Sequence, residues 1–463
     1  MRRFSVLLAS LLVAVGMLAT TASAQHPEPG PVDPAPDIAW DAEDIRVNGF
    51  SLRSSPATQS DLAFKGGLAL AGNYNGLRIF DISKPKSPRL VKDLWCPGPQ
   101  NDVSIWRDAV VMSVDTVLTG PECAAGALNA ATPITLETGW EGLRVFSLKE
   151  ILRTPADADG FTRVQPVADI YIKCGSHTHT GIPHQGHVDI YVASYPLRSG
   201  PDCGPRDDPT DTHNPLHEIL SIAQIDLNKP ERSKLLKEVP IDVPTFNEDP
   251  QFLPPPAFNA MRGCHDIQVH LGIDQAAAAC SSVGQLWDIS DPHNPGTMDP
   301  LWEVDEPEIQ FYHSALFSED TNTVIFGDEV VAGHCFDGTG SGQLWFHDRD
   351  DGTLRSSFNI PRDQGGAYCS AHMFNNLPTK KKDALVSSWY GGGVTVVDFT
   401  NVEDPEEIAY FDPEGGSIWS AYWYKDNIYA SDIPHGTWFL DMVENFVSKQ
   451  RTRGAEMNPQ TQF

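Results

Sequence analysis

Fifteen histidines punctuate this 463-residue chain, and several recur at one place in a repeated pattern. Aligned segments read Gln100-Asn101-Asp102-Val103, Ser176-His177-Thr178-His179, Cys264-His265-Asp266-Ile267, Tyr312-His313-Ser314-Ala315, Cys369-Ser370-Ala371-His372 and Trp419-Ser420-Ala421-Tyr422. Histidine falls at or near one register in four consecutive segments. Neutral imidazole suits Zn, Cu or Fe, so His177, His179, His265, His313 and His372, if they converge, form a transition-metal site. Asp102 and Asp266 would then orient ligands from behind. The alternative is that each ring bonds a neighbouring strand. Repeats copy structural residues too, so recurrence by itself does not show ligation, and both readings stand at this stage.

More chemistry-bearing residues lie between Cys174 and His213. His177-Thr-His179 has the spacing that puts both side chains on one face of a strand. His184, His187 and His213 follow among Pro183, Pro196, Pro201, Pro205 and Pro209, which mark a long insertion over one mouth of the fold. Asp202, Asp207, Asp208 and Asp211 offer oxygen ligands for calcium, without EF-hand or RTX spacing. The chain has no G-x-S-x-G elbow and no H-E-x-x-H. Its glycine pairs follow no strand-to-helix pattern that would cradle phosphate.

The eight cysteines are Cys96, Cys123, Cys174, Cys203, Cys264, Cys280, Cys335 and Cys369. No C-x-x-C spacing is present, which argues for disulfides over a thiolate metal site. Eight cysteines allow 105 pairings. Sequence proximity favours Cys96–Cys123, Cys174–Cys203, Cys264–Cys280 and Cys335–Cys369. An oxidising compartment is expected from the first 24 residues as well. Arg2 and Arg3 precede an apolar Leu7–Leu18 run and an Ala22-Ser23-Ala24 cleavage site, the pattern of a signal peptide and not of a membrane anchor. Residues 25–43 are proline-rich and acidic and read as an extended linker.

The elements that must position these residues come from one recurring phrase. Gly76-Leu-Arg-Ile-Phe-Asp-Ile-Ser83 is echoed by Gly142-Leu-Arg-Val-Phe-Ser-Leu148, Leu220-Ser-Ile-Ala-Gln-Ile-Asp226, Gly284-Gln-Leu-Trp-Asp-Ile-Ser290, Gly342-Gln-Leu-Trp-Phe-His347, Gly393-Val-Thr-Val-Val-Asp398 and Gly436-Thr-Trp-Phe-Leu-Asp441. Each is a short apolar strand stopped by a polar, often proline-containing turn, preceded by a hairpin and followed by another strand. Four strands per unit, repeated seven times, describe an all-β, seven-bladed β-propeller of four-stranded antiparallel blades over residues 44–443. The last unit lacks an outer strand. Asp44–Arg53 lacks a blade of its own, so it is expected to supply that strand and fasten the ring. Residues 444–463 read as a polar tail. The tryptophans, including Trp287, Trp389, Trp423 and Trp438, read as packing between blades.

The phrase Gly76–Leu94, with Gly284–Pro295 and Gly393–Phe411, resembles the LVIVD-repeat family of exported bacterial β-propellers. That resemblance implies fold and export, and little chemistry; a His-Asp pair such as His265-Asp266 is frequent in its repeats.

With Lys plus Arg at 33 against Asp plus Glu at 62, the formal charge is −29. A surface this acidic repels polyphosphate, so nucleic acid is excluded as a partner. After Leu18 no apolar run is long enough to insert in a membrane. The expectation is a periplasmic or extracellular monomer, soluble once cleaved, that binds a protein or small molecule at a propeller face as a scaffold. The alternative is a metal-dependent enzyme, possibly an oxidoreductase, built on the histidines.

Overall fold

The computed structural model of the protein describes residues 37–53, 56–129, 132–194, 200–203, 217–244, 263–329, 342–362, 370–379, 382–443 and 455–463. The expected leader (1–24), residues 25–36 of the linker, His213, Cys335, Cys369, Asp207, Asp208 and Asp211 lie outside them.

Among the described residues the strands form seven sheets, each antiparallel through its blade strands and most built from consecutive segments of chain. Blades 1 to 6 span 59–95, 100–171, 178–240, 266–304, 312–358 and 370–413. Blade 7 takes three strands from 418–442, and its fourth, Ile45–Leu52, pairs antiparallel with Gly436–Met442. Helix among the described residues is limited to Leu148–Arg153 and the single turn Pro230–Arg232. This is the expected seven-bladed, all-β propeller.

The recurring phrase has a physical reason at each end. Its glycine opens the third strand where the outer strand presses closest. Gly76 has φ +146°, and a Cβ there would lie 1.9 Å from the carbonyl oxygen of Leu94. Gly142, Gly393 and Gly436 meet the outer strand in the same way, so a side chain at this corner is excluded by sterics. The closing aspartate stops the strand through an Asx turn. Asp81, Asp288 and Asp398 accept the N–H two residues on at 2.9, 2.8 and 3.0 Å. Between these ends the apolar residues alternate. Val394 and Val396 pack toward blade 7 with Ala421 and Trp423, whereas Val397 and Leu385 pack toward blade 5 with Leu316 and Phe346. Each such burial stabilises by roughly 1.5–3 kcal/mol. Trp287, Trp389, Trp423 and Trp438 are fully buried in these seams, the packing role expected of them.

Three disulfides are present, Cys96–Cys123, Cys174–Cys203 and Cys264–Cys280. They are three of the four pairs expected from proximity; the fourth lies outside the described residues. Two segments differ from their expected character. Trp40–Glu43, at the end of the expected linker, adds a fifth strand to blade 6 by pairing with the outer strand Glu406–Pro413. Residues 455–463, within the expected polar tail, run across the ends of the inner strands. Glu456–Met457 pairs with Phe64 and Lys65 of blade 1, and Thr461–Gln462 runs parallel to Val269 and His270 of blade 4. Asn458 both accepts from the Ile105 N–H at 2.7 Å and donates to its carbonyl at 3.0 Å. Polar side chains suit this place because strand ends offer unpaired backbone groups, which cost free energy if buried alone.

Candidate functional site

The inner strands all begin at the channel end opposite residues 455–463, and there the histidines gather. In blade 5 the ladder register shifts between Tyr312 and Ser314. In blade 6 it shifts between Ala371 and Phe374. His313 and His372 therefore stand in bulges, which re-aim a side chain away from the pleat. His177 and His265 immediately precede the inner strands Thr178–Pro183 and Asp266–His270. Their N–H groups donate to Ala193 O at 3.0 Å and Ala279 O at 2.8 Å.

Four imidazoles from four consecutive blades stand side by side. Ring centroids are 4.3 Å apart for His177 and His265, 3.8 Å for His265 and His313, and 4.2 Å for His313 and His372. Tyr390 and Trp419 flank His372 at 4.4 and 4.9 Å. All four histidines are buried.

Their hydrogen bonds assign tautomers. Gln100 Nε2 donates to His177 Nε2 at 3.1 Å, so His177 Nδ1–H donates to Asp115 at 2.8 Å. His265 Nδ1–H donates to the His313 carbonyl at 3.0 Å, which leaves the lone pair on Nε2. His372 Nδ1–H donates to the Trp419 carbonyl, and the Tyr390 hydroxyl donates to its Nε2 at 2.6 Å. His313 differs. Its ring is wholly buried, and neither nitrogen makes a hydrogen bond. Its Nε2 lies 3.6 Å from Glu329, whose carboxylate is also 3.9 Å from His372 Nε2. Ligand atoms of His265, His313 and Glu329 all lie within 4.8 Å of one another.

Burial, then the neighbouring imidazoles, holds His265 and His313 well below the usual histidine range. Burial takes His372 down to about 3. These rings are neutral at neutral pH, the form that binds metal. Burial, with the charge of Asp328 second, pushes Glu329 up to about 8. A cation between Glu329 and the imidazoles would take the place of that carboxyl proton.

The other expected site residues sit one register deeper, on different partners. His179 has both nitrogens occupied, Nδ1 by Asp102 and Ser113 at 2.9 and 2.8 Å and Nε2 by Ser104 at 2.7 Å. Asp102 also accepts the His179 N–H at 2.9 Å. Asp266 accepts from Thr178 Oγ1 at 3.1 Å. Together with Asp61, which takes Tyr422 Oη at 2.7 Å and Gln460 Nε2 at 3.0 Å, they form an acidic band below the histidines. Burial, then the charge of Asp102, raises both Asp61 and Asp266, the latter to about 7.

Glu329, Tyr390 and Asp115 were not singled out in the sequence. All three come from the ends of second strands, opposite the starts of inner ones: Tyr312 pairs with Asp328, Ser370 with Tyr390 and Gln100 with Val114. Glu329 and Tyr390 lie one hairpin beyond His313 and His372, whereas Asp115 comes from the preceding blade, one hairpin beyond Gln100.

No family model matches the chain, and neither does any curated protein. Solved structures resemble the chain only distantly. A candidate 6-phosphogluconolactonase of Bacteroides uniformis is 11% identical over 81% of this chain and 89% of its own, with a TM-score of 0.49. The WD40 propeller domain of Doa1 is 10% identical over 89% and 99%, at 0.48. A chain of the mitotic checkpoint complex is 7% identical over 89% and 98%, at 0.49. Likeness at this level bears on neither ligand nor partner.

Proposed function

We propose that this protein is an exported propeller that holds a transition-metal ion at the mouth of its channel, on His265, His313 and Glu329, and acts there as a metal-dependent enzyme. The observation that carries the reading is the His313 ring, buried with neither nitrogen hydrogen bonded, 3.6 Å from Glu329 and 3.8 Å, centroid to centroid, from His265. A buried polar group left without a hydrogen bond costs roughly 1–3 kcal/mol; a metal bond would remove that cost at one of the two nitrogens. Two histidines and one carboxylate suit catalytic Zn(II) or Fe(II), both of which keep positions open for substrate. With iron the chemistry would be an oxidoreductase's. The Nδ1 bonds of His265 and His372 to the next blade fit both readings of the histidines at once: one nitrogen stitches strands, and that bond fixes the direction in which Nε2 points.

Export is supported by the three disulfides and the leader-like first 24 residues. No helix among the described residues is long and apolar enough to cross a membrane. The strand shared between Ile45–Leu52 and blade 7 supports a ring fastened at that seam, and the Gly76–Leu94 phrase supports an LVIVD-type repeat. Propellers commonly serve as interaction scaffolds, and a scaffold acting without metal is the competing reading.

The test is elemental analysis of untagged protein, as isolated and after incubation with Zn(II), Cu(II) and Fe(II). The expected result is a stoichiometric ion that is lost from His313→Ala and Glu329→Gln. Folded wild type without an ion that depends on these residues, under any condition, leaves the scaffold reading.

A further inference from the structure

A second group of histidines lies on the opposite face, at the seam of blades 3 and 4. The inner strand Thr178–Pro183 returns into His187–Ala193 through a tight turn, closed by the His184 N–H on His187 O at 2.9 Å. Gly186 takes φ +94° in that turn. The turn stacks the His184 and His187 rings, with centroids 4.7 Å apart and planes 22° from parallel. Two residues on, Asp189 is completely buried. From blade 4, the turn after Asp288 delivers His293. Its position is fixed by Asp291, which accepts the His293 N–H at 3.1 Å, and by Lys237, which donates to the His293 carbonyl at 3.0 Å.

The three imidazoles converge on one carboxylate. His184 Nε2 and His293 Nε2 lie 3.0 and 2.9 Å from the same Asp189 oxygen, Oδ2, and His187 Nε2 lies 3.9 Å from Oδ1. Gln224 Nε2 donates to Oδ1 at 3.1 Å and holds the carboxylate from behind. One histidine would be enough to pair a buried aspartate. Here His184 Nε2 approaches to 3.0 Å and still makes no hydrogen bond, because the ring is not aligned to donate. His293 Nε2, by contrast, is hydrogen bonded to Asp189 Oδ2 and holds the carboxylate from blade 4, while the ligand atoms of His184, His187 and Asp189 all lie within 4.8 Å of one another. In a tetrahedral site with bonds of about 2.0 Å, neighbouring donor atoms stand about 3.3 Å apart, and the 3.0 and 3.9 Å separations of His184 and His187 from Asp189 lie on either side of that value. The histidine side chains are 33, 35 and 44% exposed, which leaves an ion a path from solvent.

We propose that His184, His187 and Asp189 form a second metal site, for Zn(II) or Cu(II), which His293 ties to blade 4 through Asp189, independently of the channel histidines. Two imidazoles and a carboxylate are a donor set for these ions.

The experiment uses untagged full-length protein in the His313→Ala, Glu329→Gln background, so that only the seam site is counted. Equilibrium dialysis with Zn(II) is expected to give one bound ion per chain. Adding His184→Ala and His187→Ala should abolish it, and adding His293→Ala should weaken it at least tenfold. Cu(II) in the same background should show nitrogen hyperfine structure in its electron paramagnetic resonance spectrum, lost in the double alanine variant. His184 and His187 are partly exposed, so circular dichroism should report that variant folded. Equal Zn(II) binding by the folded background protein and its double alanine variant, or no binding by either, overturns the proposal. Because the channel ligands are already absent, either failure leaves the channel reading untouched.

Discussion

The two histidine groups place the same side chain in opposite surroundings. At the channel mouth four imidazoles are buried, and Glu329, the carboxylate that faces His313, is partly exposed. At the seam of blades 3 and 4 the imidazoles reach solvent and the carboxylate, Asp189, is buried. In the first group desolvation falls on His265, His313 and His372 and keeps them neutral; in the second the buried partner is the carboxylate. The contrast teaches that burial, more than residue type, decides what a histidine cluster does. On the proposed readings, the channel group would hold an ion in a shielded place and the seam group one that exchanges with solvent.

The sharpest way to break this comparison is to remove the channel ligands. His313→Ala with Glu329→Gln should lower channel-ion affinity by on the order of 100-fold or more and leave seam binding unchanged, read by dialysis against a chelator. Loss of both ions together would mean that the sites are one system. Next in size is the Cys264–Cys280 bond, which anchors the residue before His265. Replacing both with serine should cost about 3 kcal/mol in denaturant unfolding and loosen the channel ion but not the seam ion.

Acid gives a smaller, directional test. The folded chain holds His372 near 3, whereas the unfolded chain protonates it near 6.5. Between those values the unfolded state binds the extra proton, so this group's contribution is intact above about pH 6.5 and is lost as the pH falls toward 3. His372→Gln should flatten that loss by roughly 2 kcal/mol at pH 4.5, read from melts across the range; an unchanged slope would place the acid sensitivity elsewhere. The smallest effect is expected from Tyr390→Phe. It removes the hydroxyl on His372 Nε2 and should weaken the channel ion by about tenfold at most, in a titration of the apo-protein.

The blades were legible because their corner chemistry repeats. Gly76, Gly142, Gly393 and Gly436 answer one steric demand, and Asp81, Asp288 and Asp398 make one turn. The channel histidines were legible as a shared register, since inner strands copy one another. Glu329 and Tyr390 were hidden because the bulges at Tyr312–Ser314 and Ala371–Phe374 decide what faces them, and a bulge leaves no mark in hydrophobic periodicity. His293 read as an ordinary turn residue; its partner Asp189 lies 104 positions earlier, a distance only blade packing closes. Asn458, Gln460 and Thr461 look solvent-loving, yet all three are buried against strand ends that need polar partners.

Those last residues govern traffic. Gln462 takes the N–H of Phe317 at 3.0 Å and returns a bond to its carbonyl at 2.8 Å, while Thr461 holds Gly181 at 2.8 Å. The segment thus covers the ends of inner strands on the side away from the histidines. With that end covered, a ligand of the proposed channel site would enter and leave by the histidine end. Arrival and departure then compete for one opening, so a spent molecule that lingers at the mouth excludes its successor.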